Sequence, residues 1–385
     1  MSRKGGNLNL AKSLLVYDFL LVKGGAEALS IDLCSKTENM ELLVSFIEQR
    51  NFSHLSLSAN KLHSLRKKYS HPVLQALFIS RAFESTKFDF CNYEKVIFSG
   101  SYAPLAVNNS TFGCNILYCH TPPRFVYDLK YFYLNRLPFW QRPFLQLLIR
   151  FLKPKYEHSV RKMDLVIANS VNVKRRLKNH LNQDSIVIYP PCHIDKYQWK
   201  SQGDYYLSTA RVEPFKRIKL IVKAFMIMPD KKLIVASGGS ELEELKQLAT
   251  GFNNITFTGW CDEQVLIDLV NNCIATIYLP IDEDFGISPV ESMAAGKPVI
   301  GVNEGGVKET VLQNKTGILC PESPKICDVV FAVEQLTEEY AIYLRENCIE
   351  RAKAFSAQIF IEKMQALLNC KDCDLVTTAK EVDAS

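Results

Sequence analysis

Two series of short apolar runs, each run followed by a helical or turn-rich stretch, limit what this chain can fold into. The first series is Ser13–Tyr17, Met40–Phe46, Lys95–Ser99, Cys114–Cys119 and Leu165–Asn169. The second is Tyr205–Thr209, Lys232–Ala236, Ile255–Thr258, Ala275–Leu279 and Pro298–Val302, with helical patterns at about 217–227, 240–249, 262–272 and 289–295. Strands that alternate with helices imply parallel sheets covered on both faces, so the expected class is α/β, with two Rossmann-like doubly wound domains. Ile186–Tyr189 runs into Pro190-Pro191 and a polar stretch from Asp195 to Asp204, where the boundary is expected. That gives a first domain over 1–195 and a second over 205–350. Residues 351–370 would form a helix packing back on the first domain, and 371–385 a flexible tail. In open α/β sheets ligands sit at the carboxyl ends of the strands. A central cleft between the two domains is therefore expected to hold the site.

Composition narrows the class. Of the 385 residues 47% are hydrophobic and 23% charged, which suits a large buried core rather than a disordered chain. With 46 basic and 41 acidic residues the net charge is +5, too mixed to demand nucleic acid, and none is expected as a partner. The 12 cysteines are scattered singly through apolar runs apart from Cys370 and Cys373, which lack a second pair or a nearby histidine for zinc. Buried free thiols suit a reducing compartment. Leu14–Tyr17 is broken by Asp18, too early for a signal peptide, and no stretch reaches the roughly 20 apolar residues of a spanning helix. The expected location is cytoplasmic.

The densest motif is Glu283-Asp-Phe-Gly-Ile-Ser-Pro-Val-Glu291 followed by Ser-Met-Ala-Ala-Gly-Lys-Pro-Val-Ile. Part of it reads as local structure. Ser288 suits an N-cap, Pro289 the first helical position and Glu291 the third, a capping box. Glu283 and Gly286 fall outside that explanation, in a loop where a carboxylate can accept hydrogen bonds from sugar hydroxyls and a helix start can receive an anion. The whole stretch resembles the E-x7-E signature of family 4 retaining glycosyltransferases of the GT-B fold, and the resemblance runs through nearly the whole chain.

That resemblance implies roles for particular residues. In Thr209-Ala-Arg-Val-Glu-Pro-Phe-Lys216, Arg211 and Lys216 would grip the donor pyrophosphate, with Arg217 as a nearby spare cation. Gly25 in Gly24-Gly25-Ala-Glu would let the backbone approach the donor phosphate, as would Gly286 and Ile287 at a helix start. Glu291 would hold the ribose. Glu283, with His120 of Tyr118-Cys-His-Thr-Pro-Pro-Arg124, would position the transferred sugar as the catalytic pair. Trp260 and Cys261 would face the nucleotide base, although Trp260 could equally pack the surface. Gly238-Gly239 reads as a structural turn, as does Gly305-Gly306 with Glu309.

The implied activity is transfer of a hexose, mannose by preference, from a nucleotide-sugar donor such as GDP-mannose, with the N-terminal domain (1–195) binding the acceptor and the C-terminal domain (205–350) the nucleotide sugar. The acceptor would be a glycan or lipid-linked molecule in cell-surface polysaccharide assembly. No metal or other cofactor is expected, because fixed cations can balance the leaving diphosphate. A nucleotide-sugar epimerase or a non-catalytic nucleotide-sugar-binding protein is the alternative. Two basic stretches, 60–71 with Lys61, Arg66, Lys67 and Lys68, and 131–155 with many aromatic residues, suit peripheral contact with anionic lipid.

Overall fold

Strands buried on both faces must be apolar throughout, and the runs that satisfy this become the two sheets. The computed structural model describes residues 12–21, 24–48, 50–52, 61–65, 72–370 and 375–384. They divide into two units. Unit 1 comprises residues up to Tyr189 together with those from Ile361 onward, and unit 2 runs from Pro190 to Phe360.

In unit 1 the strands are β1 (Ser13–Tyr17), β2 (Met40–Val44), β3 (Leu62–Ser64), β4 (Lys95–Ser99), β5 (Cys114–Cys119), β6 (Leu165–Ala168) and β7 (Ile186–Val187). The helices are α1 (Gly25–Lys36), α2 (Pro72–Glu84), α3 (Lys130–Arg136), α4 (Arg142–Val160) and α5 (Val171–Leu181). Every described pairing is parallel, in the order β3-β2-β1-β4-β5-β6-β7.

Unit 2 carries β8 (Tyr205–Ser208), β9 (Lys232–Val235), β10 (Ile255–Phe257), β11 (Ala275–Ile277), β12 (Val299–Val302) and β13 (Gly317–Cys320). Its helices are α6 (Ile218–Met226), α7 (Leu242–Leu248), α8 (Glu263–Asn272), α9 (Ile287–Ala294), α10 (Val307–Thr310), α11 (Ile326–Gln335) and α12 (Glu338–Lys353). The order β10-β9-β8-β11-β12-β13 is again wholly parallel. It reverses direction between β8 and β11, as the first sheet does between β1 and β4. At such switch points the loops leaving adjacent strands part and open a crevice.

The structure departs from several expectations. The chain passes into unit 2 at Pro190 rather than after Asp195. Helix α13 (Ala357–Asn369) begins in unit 2 and continues into unit 1. Residues 375–384, expected as a flexible tail, instead form helix α14 (Leu375–Ala384) on unit 1. Ala379 and Val382 of α14 are buried, and the Asp383 carboxylate accepts the Val187 amide at 2.6 Å and the Lys174 ammonium at 3.1 Å. The apolar spacing 375, 379, 382 is a helical stripe that terminal position obscures. Strand β13 was not anticipated, because its short run Gly317–Cys320 follows a turn with no strong breaker. Most of the basic stretch 60–71 lies outside the described residues, as does Cys373. Among the described residues no helix is long and apolar enough to cross a membrane.

Candidate active site

The loops leaving β8 and β11 at the second switch point carry Arg211, Lys216 and Glu283. A main-chain bond joins them, the Ile281 amide donating to the Phe215 carbonyl at 2.7 Å, and the Val212 amide ties the first to the loop leaving β9 through the Gly238 carbonyl at 2.9 Å. Within this frame the Lys216 ammonium donates to the Glu283 carboxylate at 2.6 Å and to the Tyr278 hydroxyl at 3.1 Å. Lys216 is 8% exposed, so the pair is screened only weakly by water. Arg211 projects outward, exposed, from the same loop.

Arg217, expected as a spare cation, is committed elsewhere. Its guanidinium donates to the carbonyls of Leu279, Pro280 and Glu322 at 3.0 to 3.2 Å and to the Glu304 carboxylate at 3.0 Å. Its backbone sits at φ 55°, which turns the chain from the loop into α6. This leaves Lys216 as the inward cation of the two.

The loop with Glu283 rests on the turn after β12. The Gly306 amide donates to the Glu283 carbonyl at 2.8 Å, and a Cβ on Gly306 would stand 2.5 Å from the Phe285 Cα. The Asp282 amide donates to Glu304 at 2.7 Å. Glycines 305 and 306 are thus required for close approach, which the sequence reading reduced to a turn.

Helix α9 begins two residues earlier than expected. Gly286, at φ 90°, is its N-cap and Ile287 its first residue, so Ser288 is not the cap and no capping box forms. Glu291 therefore lies in the second turn, released from the capping role. Its carboxylate accepts from the Tyr197 hydroxyl, and burial raises its pKa against the pull of Tyr197 and Lys196. Trp260, 71% exposed, lays its indole edge on Gly238, where a Cβ would meet Nε1 at 2.3 Å. Gly238-Gly239 is therefore the seat of Trp260 and of the Val212 backbone. Cys261 turns its thiol to the Thr258 hydroxyl at 2.9 Å.

In unit 1 His120 immediately follows β5. Its ring lies edge-on to Tyr118, with centroids 5.2 Å apart. Its Nε2 is buried and has no hydrogen-bond partner, and burial pushes the ring's pKa down to about 4. The segment after it is braced by Arg176, which donates to the Thr121 hydroxyl at 2.9 Å, and by the Arg124–Asp128 pair at 2.9 Å. Gly25 opens α1 after Gly24, whose amide is taken by the Glu27 carboxylate.

Asp18, read from sequence merely as a break in an apolar run, ties the two strands of the first switch point together. It accepts the amides of Ser101, Tyr102 and Ala103 at 2.7 to 2.8 Å, while burial pushes its carboxyl up to about 6. The signal was available: a lone carboxylate just past a buried strand.

Residues 192–355 match the model of glycosyl transferases group 1. The second unit belongs to the group 1 family. Relatives include the α-1,3/1,6-mannosyltransferase ALG2 of Dictyostelium discoideum, 29% identical over 46% of this chain and 53% of that protein. The O-antigen chain mannosyltransferase RfbU of Salmonella typhimurium is 29% identical over 52% of this chain and 57% of its own. The chain therefore spans about half the length of the curated relatives it matches. Among solved structures, a sucrose-phosphate synthase of Thermosynechococcus elongatus superimposes with a TM-score of 0.73 at 17% identity, covering 92% of this chain and 98% of that one. The HepE protein of Anabaena in complex with UDP gives 0.68 at 17% identity over the same shares. These likenesses extend the fold beyond the group 1 segment to both units and give the chain the GT-B architecture. The site loops of β8, β10, β11 and β12 all fall within the group 1 match.

Proposed function

We propose that this chain transfers mannose from a nucleotide-sugar donor, by preference GDP-mannose, to a glycan or lipid-linked acceptor in cell-surface polysaccharide assembly. The mannosyltransferase names of the ALG2 and RfbU relatives support the sugar. The observation that carries the activity is the largely buried Lys216–Glu283 pair beside exposed Arg211, on the two loops of a switch point.

In this reading Arg211 and Lys216 bind the donor diphosphate and offset the charge that develops as it leaves. The amides of Gly286 and Ile287 add donors at the start of α9. Glu291 accepts from the ribose hydroxyls, Glu283 orients the sugar, and Trp260 offers a face to the base. His120, neutral and with an open Nε2, and Gly25 are assigned from unit 1. Transfer proceeds with retention: the acceptor hydroxyl attacks the anomeric carbon on the face the diphosphate leaves, and a departing phosphate oxygen takes its proton. No metal is required in this scheme, so turnover should persist in EDTA.

Incubation with GDP-mannose and UDP-hexoses, with and without acceptor, tests the reading. Release of GDP and an α-linked product support it; binding of the donor with no hydrolysis or transfer supports a non-catalytic protein instead.

Peripheral membrane contact belongs to the same reading. Between residues 130 and 156 the sequence holds six basic residues and no acidic one. Tyr131, Tyr133, Phe139, Trp140, Phe144 and Leu147 are all exposed there, on α3, α4 and the link between them. Aromatic groups interleaved with cations favour an anionic interface, at about 1 kcal/mol per cation. Co-sedimentation with phosphatidylglycerol vesicles, lost in Phe139→Ser/Trp140→Ser and absent with phosphatidylcholine, is the expected result. Equal binding to both vesicle types would remove the electrostatic part.

A further inference from the structure

Each glutamate of the Glu283/Glu291 pair meets a tyrosine from outside its own motif. Tyr278 is the residue just past β11, and its ring is buried. Its hydroxyl accepts from Lys216 at 3.1 Å and hydrogen-bonds the Glu283 carboxylate. The ring edge lies beneath the Gly286 turn, where an added Cβ would stand 3.5 Å from Cε1. Tyr197 follows the single 3-10 turn Ile194–Lys196 and packs against the buried cluster that includes Leu207, Val270 and Ala295. Its hydroxyl bonds the Glu291 carboxylate.

The donor and acceptor inventory fixes the direction of these bonds. An ammonium has three hydrogens and no acceptor, a phenol has one hydrogen, and a carboxylate only accepts. Lys216 must therefore donate to Tyr278, whose single proton must go to Glu283. Lys216 spends one hydrogen on Tyr278 and one on Glu283, which leaves its third for a ligand oxygen. Each carboxylate has one lone pair pinned by a phenol, so its remaining oxygen positions face fixed directions. Hydroxyl recognition needs that order, because a carboxylate that rotates loses the geometry that distinguishes one hydroxyl from another.

We propose that Tyr278 and Tyr197 are positioning residues for sugar transfer, Tyr278 setting Lys216 for the departing diphosphate and Glu283 for the reacting sugar, and Tyr197 setting Glu291 for the nucleotide ribose. The proposal rests on the donor-site reading above. It divides the labour: loss of the Tyr278 hydroxyl acts on turnover, and loss of the Tyr197 hydroxyl acts on donor affinity. Burial opposes the charged form of Glu291, and the Tyr197 hydroxyl favours it. Without that hydroxyl Glu291 protonates at higher pH, so the acid limb of donor affinity moves upward.

The test uses the full chain and its Tyr278→Phe and Tyr197→Phe variants, with GDP-mannose and UDP-glucose assayed in parallel. Unchanged thermal unfolding guards against a simple folding defect. Supporting oriented groups of this kind are commonly worth 10- to 100-fold. Tyr278→Phe should lower kcat by about that factor with donor Kd within about threefold. Combining it with Glu283→Gln should cost no more than Glu283→Gln alone. Tyr197→Phe should raise donor Kd about 10-fold and shift the acid limb of binding upward. Retention of kcat in Tyr278→Phe, a loss that adds in full to that of Glu283→Gln, or an unmoved acid limb in Tyr197→Phe overturns the proposal. If Glu283→Ala and Glu291→Ala themselves bind and turn over both donors like the parent, the donor-site reading fails and the proposal with it.

Discussion

Gly305 lies against the backbone of Glu283, so close that a Cβ on Gly305 would stand 2.5 Å from the Glu283 nitrogen and 2.6 Å from its oxygen. Main chain cannot yield as a flexible side chain does, and Gly305 also sits at φ 59°, where a side chain is strained. Gly305→Ala should displace the Glu283 loop and lower kcat/KM at least 10-fold, with about 1–3 kcal/mol lost in urea unfolding. An alanine variant with parental kinetics would show that the contact does not hold the loop.

Arg211 and Glu283 should separate function from stability. Arg211 is exposed, and Arg211→Ala should leave thermal unfolding almost unchanged while lowering transfer at least 100-fold. Glu283→Ala leaves Lys216 buried without its carboxylate, so some loss of stability accompanies its loss of transfer. Circular dichroism alongside a donor turnover assay distinguishes the two, and full activity in either variant would remove it from the site.

Arg217 should behave in the opposite sense. Its four oxygen partners join the Leu279–Pro280 turn to Glu304 and Glu322, so Arg217→Ala strands part-buried acceptors and should cost on the order of 2 kcal/mol. Urea titration checks the magnitude. A variant as stable as the parent but unable to bind donor would return Arg217 to the phosphate role.

His120 gives a pH signature. Its folded pKa is depressed to about 4, against about 6.5 when unfolded. Between those values the unfolded chain binds the extra proton, so the stability tied to neutral His120 is present above about pH 6.5. It is lost as the pH falls towards 4. The difference in unfolding free energy between the parent and His120→Asn should therefore narrow by roughly 3 kcal/mol over that window. Asp18 titrates in part of the same range but is common to both proteins and cancels. A pH-independent difference would mean that the ring is solvated or paired.

Much of this was legible in the sequence because buried parallel strands announce themselves as apolar runs, and the site loops must follow them. The Arg211–Lys216 and Glu283–Glu291 segments fell where strand ends placed them. What was not legible depended on contacts between distant segments. Ser288 looked like a cap because propensity favours serine there, but the left-handed Gly286 lets the helix begin at Ile287. Arg217 looked spare because nothing in its neighbourhood reveals carbonyls at 279, 280 and 322. Tyr278 and Tyr197 carry no local mark either; only folding sets their hydroxyls against the two glutamates. The tail helix was hidden by its position, although its apolar spacing was present.

Beside the side-chain ties of Lys216 and Arg217, the loops of the group 1 unit are held to one another through main-chain groups: Ile281 to Phe215, Val212 to Gly238, Gly306 to Glu283. Such a frame is indifferent to most side chains it carries. An exposed side chain such as Trp260 can be exchanged without dismantling the platform that presents it. What the loops present can therefore be altered while the scaffold stays still, provided that the glycines permitting its close main-chain contacts are kept.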